Sequence, residues 1–387
     1  MKIGIMMRAM DQDSGFRAVV EGYVNGMLRV GPQHEYVLFY RSDKYLGRFF
    51  AQPKVKELLL RAPHKLWWDQ VTVPWHARKQ NVDILFNPKF SVPLISHCPV
   101  TMGLQEPAWY AWPQHYDLSN VIYMRTFLPL YVRRASYLFP NSQFILDENR
   151  RYLNRSFTNA QVAYSGTDER FRPIDDRASL EPFRVKYGLP PKFILSLTRV
   201  DHPGVEHSTS FHGGKNPETT VRAFMRIRDR VPHQLVMAGR RVRGYLAHLG
   251  FSDADLRGVK LIEWIPFDEL PQLYNLAELF VIPSFYEGCP NTLLQAMACG
   301  CAIVASETGG CSDVGADAAL YADPHNPDDF AAKMLRVLND GTLRGALQTS
   351  SVARSSYFHW DRSAKVILDG MERVLHSEAL PTVVSAA

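Results

Sequence analysis

The densest group of residues that could do chemistry lies in 283–306, PSFYEGCPNTLLQAMACGCAIVAS. A buried strand is predicted to end at Ser284, a glycine-containing loop carries Glu287, and a helix is predicted to begin near Asn291. A helix start presents backbone N–H groups and partial positive charge, and open α/β sheets bind ligands at the carboxyl ends of their strands. Glu287 could accept hydrogen bonds from hydroxyl groups there. The combination suits a neutral polyol attached to a diphosphate, and a carboxylate that only caps the helix is the alternative.

Two cations and a glycine elsewhere in the sequence could hold such a diphosphate. Arg199 ends a predicted strand, and Lys215 follows in HGGKNPETT, just before a predicted helix start. Arginine offers phosphate oxygens a planar fork and lysine a compact charge, and both stabilise the negative charge on a departing diphosphate. Gly15, in the predicted loop after the first strand, would let the backbone approach a phosphate closely. Surface charges and a simple turn are the alternatives for these three residues.

Strands that alternate with helices must position these groups. In the first half, buried strands are predicted at 2–7, 34–40, 82–88, 99–102 and 137–142. In the second half they are predicted at 191–199, 233–239, 259–265, 279–284, 301–306 and 319–323. This alternation favours parallel sheets covered by helices on both faces. We therefore expect an α/β chain with two doubly wound, Rossmann-like domains at 1–175 and 176–361, and a C-terminal helix and tail at 362–387.

Composition indicates a soluble globular enzyme. The 387 residues are 46% hydrophobic and 21% charged, and no apolar run approaches the roughly 20 residues of a membrane span. The first residues lack the basic start and apolar stretch of a signal peptide. The five cysteines form no CxxC pair, so we expect reduced thiols, a cytoplasmic location and no metal site.

Positive charge is concentrated in the first half of the chain. Residues 1–177 hold 23 Lys/Arg against 16 Asp/Glu, and the remainder holds 21 against 23. The excess is greatest in 44–79, where Phe and Trp are interleaved with Lys and Arg. That mixture suits peripheral contact with an anionic membrane surface or an acidic acceptor, and a solvated helix face with core aromatics is the alternative. No nucleic-acid recognition motif accompanies the charge, so no nucleic-acid partner is expected.

Several stretches together resemble glycosyltransferase family 4, the retaining GT-B transferases. The stretch from IEWIPFDELPQLYNLAELFVIPS to CAIVASETGG is similar to that family's donor site over its full length, and MKIGI…SGF, PNSQFILDENRRYL and VAYSGTDERFRP are similar to its N-terminal half. The resemblance implies two Rossmann-like domains facing a cleft, with the C-terminal helix crossing back to the N-terminal domain. It also implies a transferase that moves a hexose from a UDP- or GDP-sugar to an acceptor hydroxyl with retention, in glycan or glycolipid assembly. Glycan, lipid-linked and small-molecule acceptors all stay open.

The resemblance also implies roles for individual residues. Arg199 and Lys215 match the family's diphosphate-binding pair, Gly15 matches its N-terminal glycine, and Glu287 matches the acid that contacts the donor sugar. The remaining donor-binding positions implied by the match lie in the loop and helix after Glu287: Gly288, Cys289, Pro290, Asn291, Thr292, Leu293 and Gln295. The resemblance implies no cofactor and no metal, because the nucleotide sugar is itself the substrate.

This sequence departs from the family pattern at two positions. Gln295 stands where the family has a second glutamate that holds the ribose hydroxyls, and an uncharged amide would weaken ribose binding by roughly 1 kcal/mol or more. The family's N-domain histidine falls on Met102 or Gly103, and its contact could come from Glu106, Gln105 or His115. The segment 201–214 is also longer than the family's usual short turn, which suits an acceptor loop, a lid or a tolerated insertion.

Other activities fit the sequence less well. No GxGxxG follows the first strand of either half, which argues against an NAD-dependent oxidoreductase. Asp11 with Asp13, and Asp253 with Asp255, match a metal-binding DxD pattern, but surface carboxylates are the expected interpretation. A donor-binding pseudoenzyme or partner subunit is the remaining alternative, because Gln295 and the missing histidine could weaken catalysis.

Overall fold

The structure is a computed structural model of the chain, and it describes residues 1–11, 15–49, 51–198 and 214–376. The described residues form two six-stranded sheets, and the strand pairs within each are parallel. By internal packing the chain divides into two domains. The N-terminal domain comprises Met1–Ala111, Ser119–Gly166 and the chain from His359 onward, and the C-terminal domain comprises Trp112–Leu118 and Thr167–Phe358.

The N-terminal half contains a sheet of order β3-β2-β1-β4-β5-β6. Its elements are β1 Lys2–Met6, α1 Gly15–Val30, β2 Glu35–Tyr40, β3 Val55–Leu59, α2 Lys65–Trp67, α3 Val73–Lys79, β4 Ile84–Asn87, β5 Val100–Leu104, α4 Ala108–Ala111, α5 Leu118–Arg134, β6 Tyr137–Pro140 and α6 Gln143–Leu153. A π-helical turn, Trp68–Thr72, joins α2 to α3. Strands β4 to β6 are buried along their whole length, as expected for parallel strands covered on both faces.

The C-terminal half contains a sheet of order β12-β11-β10-β7-β8-β9. Its elements are α7 Glu181–Tyr187, β7 Phe193–Leu197, α8 Pro217–Ile227, β8 Gln234–Ala238, α9 Val242–His248, β9 Val259–Ile262, α10 Leu270–Leu276, β10 Leu279–Ile282, α11 Asn291–Ala298, β11 Ile303–Ser306, α12 Gly310–Gly315, β12 Leu320–Ala322, α13 Pro327–Asn339, α14 Gly341–Ser355 and α15 Trp360–His376. The strand order reverses between β7 and β10, where Leu279 pairs with Ile194. Open α/β sheets bind ligands at the carboxyl ends of the strands at such a point.

The last helix, α15, is part of the N-terminal domain and packs on α1. A Cβ on Gly26 would lie 2.7 Å from the carbonyl oxygen of Trp360 and 2.9 Å from Cβ of Ala364, so glycine allows the close approach. Ile367 and Met371 of α15 are fully buried in the same core. The placement agrees with the expectation that a C-terminal helix returns to the N-terminal domain.

The predicted fold class is confirmed, and each predicted strand is present with ends shifted by a few residues. Strand β3 was missed, because it lies within 44–79, where a helix face was the alternative considered. Its sequence VKELL is only partly buried at the edge of the sheet, and Lys and Glu are uncommon in strands. The division between the domains falls after Gly166 and before His359, against predicted boundaries at 175 and 361. The chain passes between the domains at these two places, and the two passing segments are hydrogen-bonded: the N–H of Thr167 donates to the carbonyl of Phe358 at 2.9 Å.

Candidate functional site

The candidate site lies in the C-terminal domain, at the reversal between β7 and β10. Thr198 follows β7 directly, and its N–H donates to the carbonyl of Ala238 at 3.0 Å. Ser284 follows β10 and is 1% exposed. The N–H of Phe285 donates to the carbonyl of Gly214 at 2.8 Å. The segment before α8 is therefore bonded to the loop after β10, and residues from two separate stretches of sequence come together.

Lys215 and Glu287 form an ion pair at this point. Nζ of Lys215 lies 2.5 Å from Oε1 of Glu287, and the hydroxyl of Ser284 donates to the same oxygen at 2.8 Å. The carboxylate side chain is 12% exposed and the lysine side chain 31%. A partly buried ammonium held beside a carboxylate gives the site a fixed cation together with an acceptor for hydroxyl groups.

Asn216 fixes the position of Lys215. Its backbone has φ +49°, and its side-chain oxygen caps α8 by accepting from the N–H of Thr219 at 3.3 Å. Its Nδ2 donates to the carbonyl of Pro283 at 3.0 Å and to that of Pro324 at 2.8 Å. Asn216 is 4% exposed, so one buried amide ties the start of α8 to the ends of two strands.

The loop that carries Glu287 is held from the other side by α12. The N–H of Gly310 donates to the carbonyl of Glu287 at 3.0 Å. A Cβ at Gly310 would lie 2.6 Å from that oxygen and closer still to the carbonyl of Gly288, so only glycine fits without moving the loop. Cys311 beside it is fully buried, and burial raises the pKa of its thiol to about 12. Cys311 is therefore a neutral packing residue near the carboxylate and not a nucleophile.

Helix α11 begins at Asn291, directly after the loop, as predicted. The carbonyl of Pro290 accepts from the N–H groups of Leu293 and Leu294 at 3.0 and 3.1 Å. The side chain of Leu293 is fully buried, so neither its side chain nor its amide is open to a ligand in this structure. The hydroxyl of Thr292 is buried, with no hydrogen-bond partner among the described residues. A buried hydroxyl in the first turn of a helix is a group that a ligand could satisfy.

Gln295, which is half-buried, and the buried Tyr274 form a pair one turn further along α11. The hydroxyl of Tyr274 lies 3.0 Å from Oε1 of Gln295 and 3.2 Å from the carbonyl of Thr292, and its single proton is shared between these acceptors. Burial raises the pKa of Tyr274 well above its ordinary value, so the phenol stays a donor. Oε1 of Gln295 therefore already accepts one hydrogen bond and keeps a second lone pair.

The other predicted donor-site residues have mixed outcomes. Arg199 and nearly all of 201–214 lie outside the described residues. Cys289 is half-buried, while Gly288 and Pro290 are buried. Gly15 lies in the N-terminal domain, where it is exposed and is the first residue of α1, although a loop was predicted there.

The residues considered for the position of the missing histidine differ in burial and in hydrogen bonding. Met102 is fully buried in β5, and Gly103 packs against the carbonyl of Pro88. Gln105 is 2% exposed, and its Oε1 accepts from Nδ2 of Asn141 at 2.8 Å. Gln105 is thus a structural link between the ends of β5 and β6.

Glu106 is half-buried near Lys89, and the His115 side chain is outside the described part. Among the described candidates for the contact of the missing histidine, Glu106 is the one with a charged neighbour.

The DxD matches show ordinary local roles. Asp255 accepts from the N–H and the hydroxyl of Ser252 at 2.8 and 2.6 Å, and these bonds hold the pKa of Asp255 below its usual range. Asp11 accepts from the hydroxyl of Ser42 at 2.5 Å, and Asp13 lies outside the described residues. Within those residues, no three His, Cys, Asp or Glu side chains group as metal ligands would.

Asn216, Tyr274 and Gly310 are the site residues that sequence reasoning missed. The Asn-Pro pair at 216–217 predicts a helix start, but such a local signal does not name a long-range partner. The Gly-Gly pair at 309–310 was not interpreted in the sequence analysis. Tyr274 carried no signal beyond an apolar helical pattern.

Comparison with known proteins agrees with this geometry. Residues 207–340 match the family model described as Glycosyl transferases group 1, a range that includes Lys215, Glu287 and α11. Residues 207–340 are therefore similar to a group 1 glycosyltransferase domain. The resemblance seen in the sequence and the predicted transferase class are both confirmed at the level of this domain.

Curated relatives of the glycosyltransferase domain include sugar transferases from bacteria. The chain is 30% identical over 248 residues to the serotype-specific mannosyltransferase WbdA of Escherichia coli, covering 63% of this chain and 29% of WbdA. It is 26% identical over 247 residues to a D-inositol 3-phosphate glycosyltransferase of Streptomyces bingchenggensis, covering 62% of this chain and 53% of that protein. The chain thus spans about a third to a half of the length of these relatives.

Solved structures share the whole architecture. A glycosyltransferase from Rickettsia africae, 14% identical, matches with a TM-score of 0.73 over 97% of this chain and 99% of that chain. Anabaena Alr3699/HepE, solved in complex with UDP and 15% identical, matches with a TM-score of 0.73 over 96% of this chain and 100% of that chain. The fold of the chain is therefore the two-domain, Rossmann-like GT-B fold.

Proposed function

We propose that the chain transfers a hexose from a nucleoside diphosphate sugar to an acceptor hydroxyl. The observation that carries the proposal is the ion pair between Lys215 and Glu287, held at the strand-order reversal beside the start of α11. A diphosphate sugar needs cationic groups at one end and acceptors for hydroxyls at the other. Lys215 and Glu287 supply these groups within hydrogen-bond distance of each other.

In this proposal Lys215 binds the leaving group, the nucleoside diphosphate. When the sugar departs, negative charge grows on the diphosphate, and a preorganised ammonium lowers the energy of that state. The start of α11 contributes the partial charge of its helix dipole, and the hydroxyl of Thr292 offers a further donor. Arg199 is proposed as the second phosphate-binding cation, and Gly15 as a glycine whose backbone approaches the diphosphate.

Glu287 is proposed to accept from hydroxyls of the donor sugar. Ser284 orients the carboxylate through Oε1, so the sugar would compete with or join the bond to Lys215. Retention is proposed from the resemblance to the retaining GT-B transferases, and same-face attack is preferred to a double displacement because no second carboxylate is assigned opposite Glu287. In that reaction the acceptor oxygen bonds to the anomeric carbon as the bond to the phosphate oxygen breaks. The departing phosphate takes the acceptor proton.

UDP- and GDP-sugars are the proposed donors, and a glycan, a lipid-linked molecule or a small molecule is the proposed acceptor, without a metal. Support comes from relatives named mannosyltransferase and D-inositol 3-phosphate glycosyltransferase and from neighbours solved with UDP and UDP-glucose. We further propose action in the cytoplasm at the inner face of the membrane, with peripheral contact through 44–79. No helix in the described part of the chain is long and apolar enough to cross a bilayer.

The bond between Tyr274 and Gln295 favours a second candidate, a donor-binding subunit with weakened catalysis. Oε1 of Gln295 already accepts from Tyr274 and carries no charge, so it would hold a ribose hydroxyl through its remaining lone pair more weakly than a free carboxylate would. Such a subunit would bind the nucleotide without turning it over.

A thermal-shift screen with UDP, GDP, ADP and their sugars tests the proposal. A ligand at 100 times its dissociation constant should stabilise the protein by about 2.7 kcal/mol, and one nucleotide series should stand out. The stabilising donor is then incubated with acceptor extract, free nucleoside diphosphate is measured, and the anomeric configuration of the product is read by NMR. Stabilisation without release would support the binding subunit, an inverted product would remove the retaining assignment, and no response to any nucleotide would refute the proposal.

A further inference from the structure

Exposed apolar side chains are unevenly distributed over the described residues. Six of the fifteen large apolar side chains that are exposed there lie between 67 and 130 in the N-terminal domain: Trp67, Val71, Trp75, Ile95, Ile122 and Leu130. We call these six residues the tryptophan face. Isolated exposed apolar residues are ordinary, but contiguous ones mark an interaction surface.

The helical segment 65–79 contributes one stripe of this face. Trp67, Val71 and Trp75 recur at every fourth residue and are 49%, 43% and 59% exposed. The neighbouring Trp68 is fully buried, and its Nε1 donates to the carbonyl of Leu60 at 2.9 Å. Because Trp68 anchors the segment in the core, the outward tryptophans are held in place on the surface.

Helix α5 and the loop after β4 extend the face. Nζ of Lys65 lies 5.0 Å from the ring centre of Tyr123, which places the start of α2 beside α5. Leu94 joins both elements, since its N–H donates to Gln70 at 2.8 Å and its carbonyl accepts from Arg134 at 2.9 Å. Ile95, next in the chain, is 85% exposed.

The exposed charges on both helical segments are all positive. The segment 65–79 exposes Lys65, Arg78 and Lys79, and its one carboxylate, Asp69, is 1% exposed and paired with Arg8 at 2.9 Å. Helix α5 has the sequence LSNVIYMRTFLPLYVRR, with three arginines and no acid. Tryptophan and branched aliphatic side chains surrounded by cations match the chemistry of a bilayer interface, where rings enter the headgroup layer and cations meet anionic phosphates.

We propose that the tryptophan face docks the N-terminal domain on a bilayer of anionic phospholipid. Within the proposed contact region 44–79, the tryptophan face uses only the later part, because Phe49 is buried and 55–59 is strand β3 within the sheet. It adds Ile95 and α5, which the charge pattern of 44–79 did not include. The docking surface does not depend on the proposed sugar transfer, because it lies in the other domain and uses none of the residues assigned to that reaction.

Vesicle co-sedimentation of the full chain tests the surface. Vesicles of phosphatidylglycerol and phosphatidylcholine in equal parts should bind the protein at least tenfold more tightly than phosphatidylcholine alone, and salt should weaken the binding. Trp67→Ser with Trp75→Ser should reduce the partition coefficient about tenfold or more, since both apolar anchors are lost. Each of Lys79→Gln and Arg125→Gln should reduce it about fivefold, the equivalent of about 1 kcal/mol per cation.

Trp264→Ser is the matched control, because Trp264 is also 59% exposed but lies in the C-terminal domain. It should leave vesicle binding unchanged. All of these positions are exposed, so unfolding midpoints should stay close to that of the parent protein. Equal binding to both vesicle types, or equal losses for the Trp67/Trp75 and Trp264 variants, would overturn the proposal. It would also be overturned by a dimer that the Trp67/Trp75 variant abolishes, since the face would then join two copies of the chain.

Discussion

Asn216 is the residue through which the fold of the C-terminal domain should control its chemistry, and Asn216→Ala tests this. The change removes the cap of α8, worth about 1 kcal/mol, and two bonds to buried carbonyls, worth about 1 kcal/mol each. Alanine at the left-handed φ of +49° adds about 1 kcal/mol more. We therefore expect a loss of about 4 kcal/mol in the free energy of unfolding, or roughly 8–16 °C in the unfolding midpoint of a domain of this size.

Asn326→Ala is the matched control for this change. Asn326 also caps a helix, accepting from the N–H groups of Asp328 and Asp329 at 3.0 and 3.2 Å, but it is exposed and has an ordinary φ of −118°. Its replacement should cost only about 1 kcal/mol.

Asn216→Asp tests the two amide donations directly. Aspartate keeps the cap and tolerates the left-handed backbone, but it places a carboxylate oxygen against the carbonyl oxygens of Pro283 and Pro324. This variant should be destabilised at least as much as Asn216→Ala, because the buried carboxylate meets two acceptors, and its folded fraction should lose most of its donor-induced stabilisation because Lys215 is no longer held beside Glu287. Thermal unfolding with and without the best donor measures both effects. Equal destabilisation by Asn216→Ala and Asn326→Ala, or a full donor response in Asn216→Asp, would refute the reasoning.

Three further predictions concern packing and charge. Gly310→Ala should abolish donor-induced stabilisation, because its Cβ would displace the carbonyl of Glu287. Gly345→Ala, in open space on α14, is the control and should leave stability unchanged or slightly higher. Similar losses of donor-induced stabilisation in both variants would contradict this prediction. Tyr274→Phe should lower the free energy of unfolding in urea by about 1–2 kcal/mol. It also removes the bond to Oε1 of Gln295, so the nucleotide affinity measured by calorimetry should stay the same or rise. A large fall in affinity would argue against the proposed role of the Tyr274–Gln295 bond. Burial lowers the pKa of Lys89 to about 8, so the unfolded chain binds more protons between pH 8 and 10 and stability should rise with pH in that window. Lys89→Met should remove this rise in urea titrations, and an unchanged slope would contradict the assignment.

The sheets could be predicted because buried parallel strands are apolar along their length. Stretches such as ILFN in β4 and LFVI in β10 are fully buried, and turn residues on either side set their limits. The edge strand β3 has no such pattern, because half-exposed positions tolerate Lys and Glu. The adjacent Trp67 and Trp68 could not be separated for a similar reason, since which of them faces the core depends on where the helical segment 65–79 packs.

Only those parts of the site that depend on neighbouring residues in the sequence could be predicted. Glu287 before the start of α11, and Lys215 before the start of α8, followed from strand–loop–helix patterns. The bonds of Asn216 to Pro283 and Pro324, and that of Tyr274 to Gln295, join residues far apart in sequence. Local patterns do not specify such partners, so the bond between Tyr274 and Gln295 could not be predicted.

The most direct test of the account is the turnover of Lys215→Met, measured as release of nucleoside diphosphate at saturating donor and acceptor. Methionine keeps the length of the side chain and removes its charge, so the account predicts a fall in kcat of about 10²–10³-fold. Lys192→Met removes another lysine of the same domain, one that lies 4.0 Å from Glu278 and outside the site, and it should leave kcat unchanged. A Lys215→Met protein that is folded and turns over at close to the parent rate would contradict the claim that this ammonium stabilises the departing diphosphate.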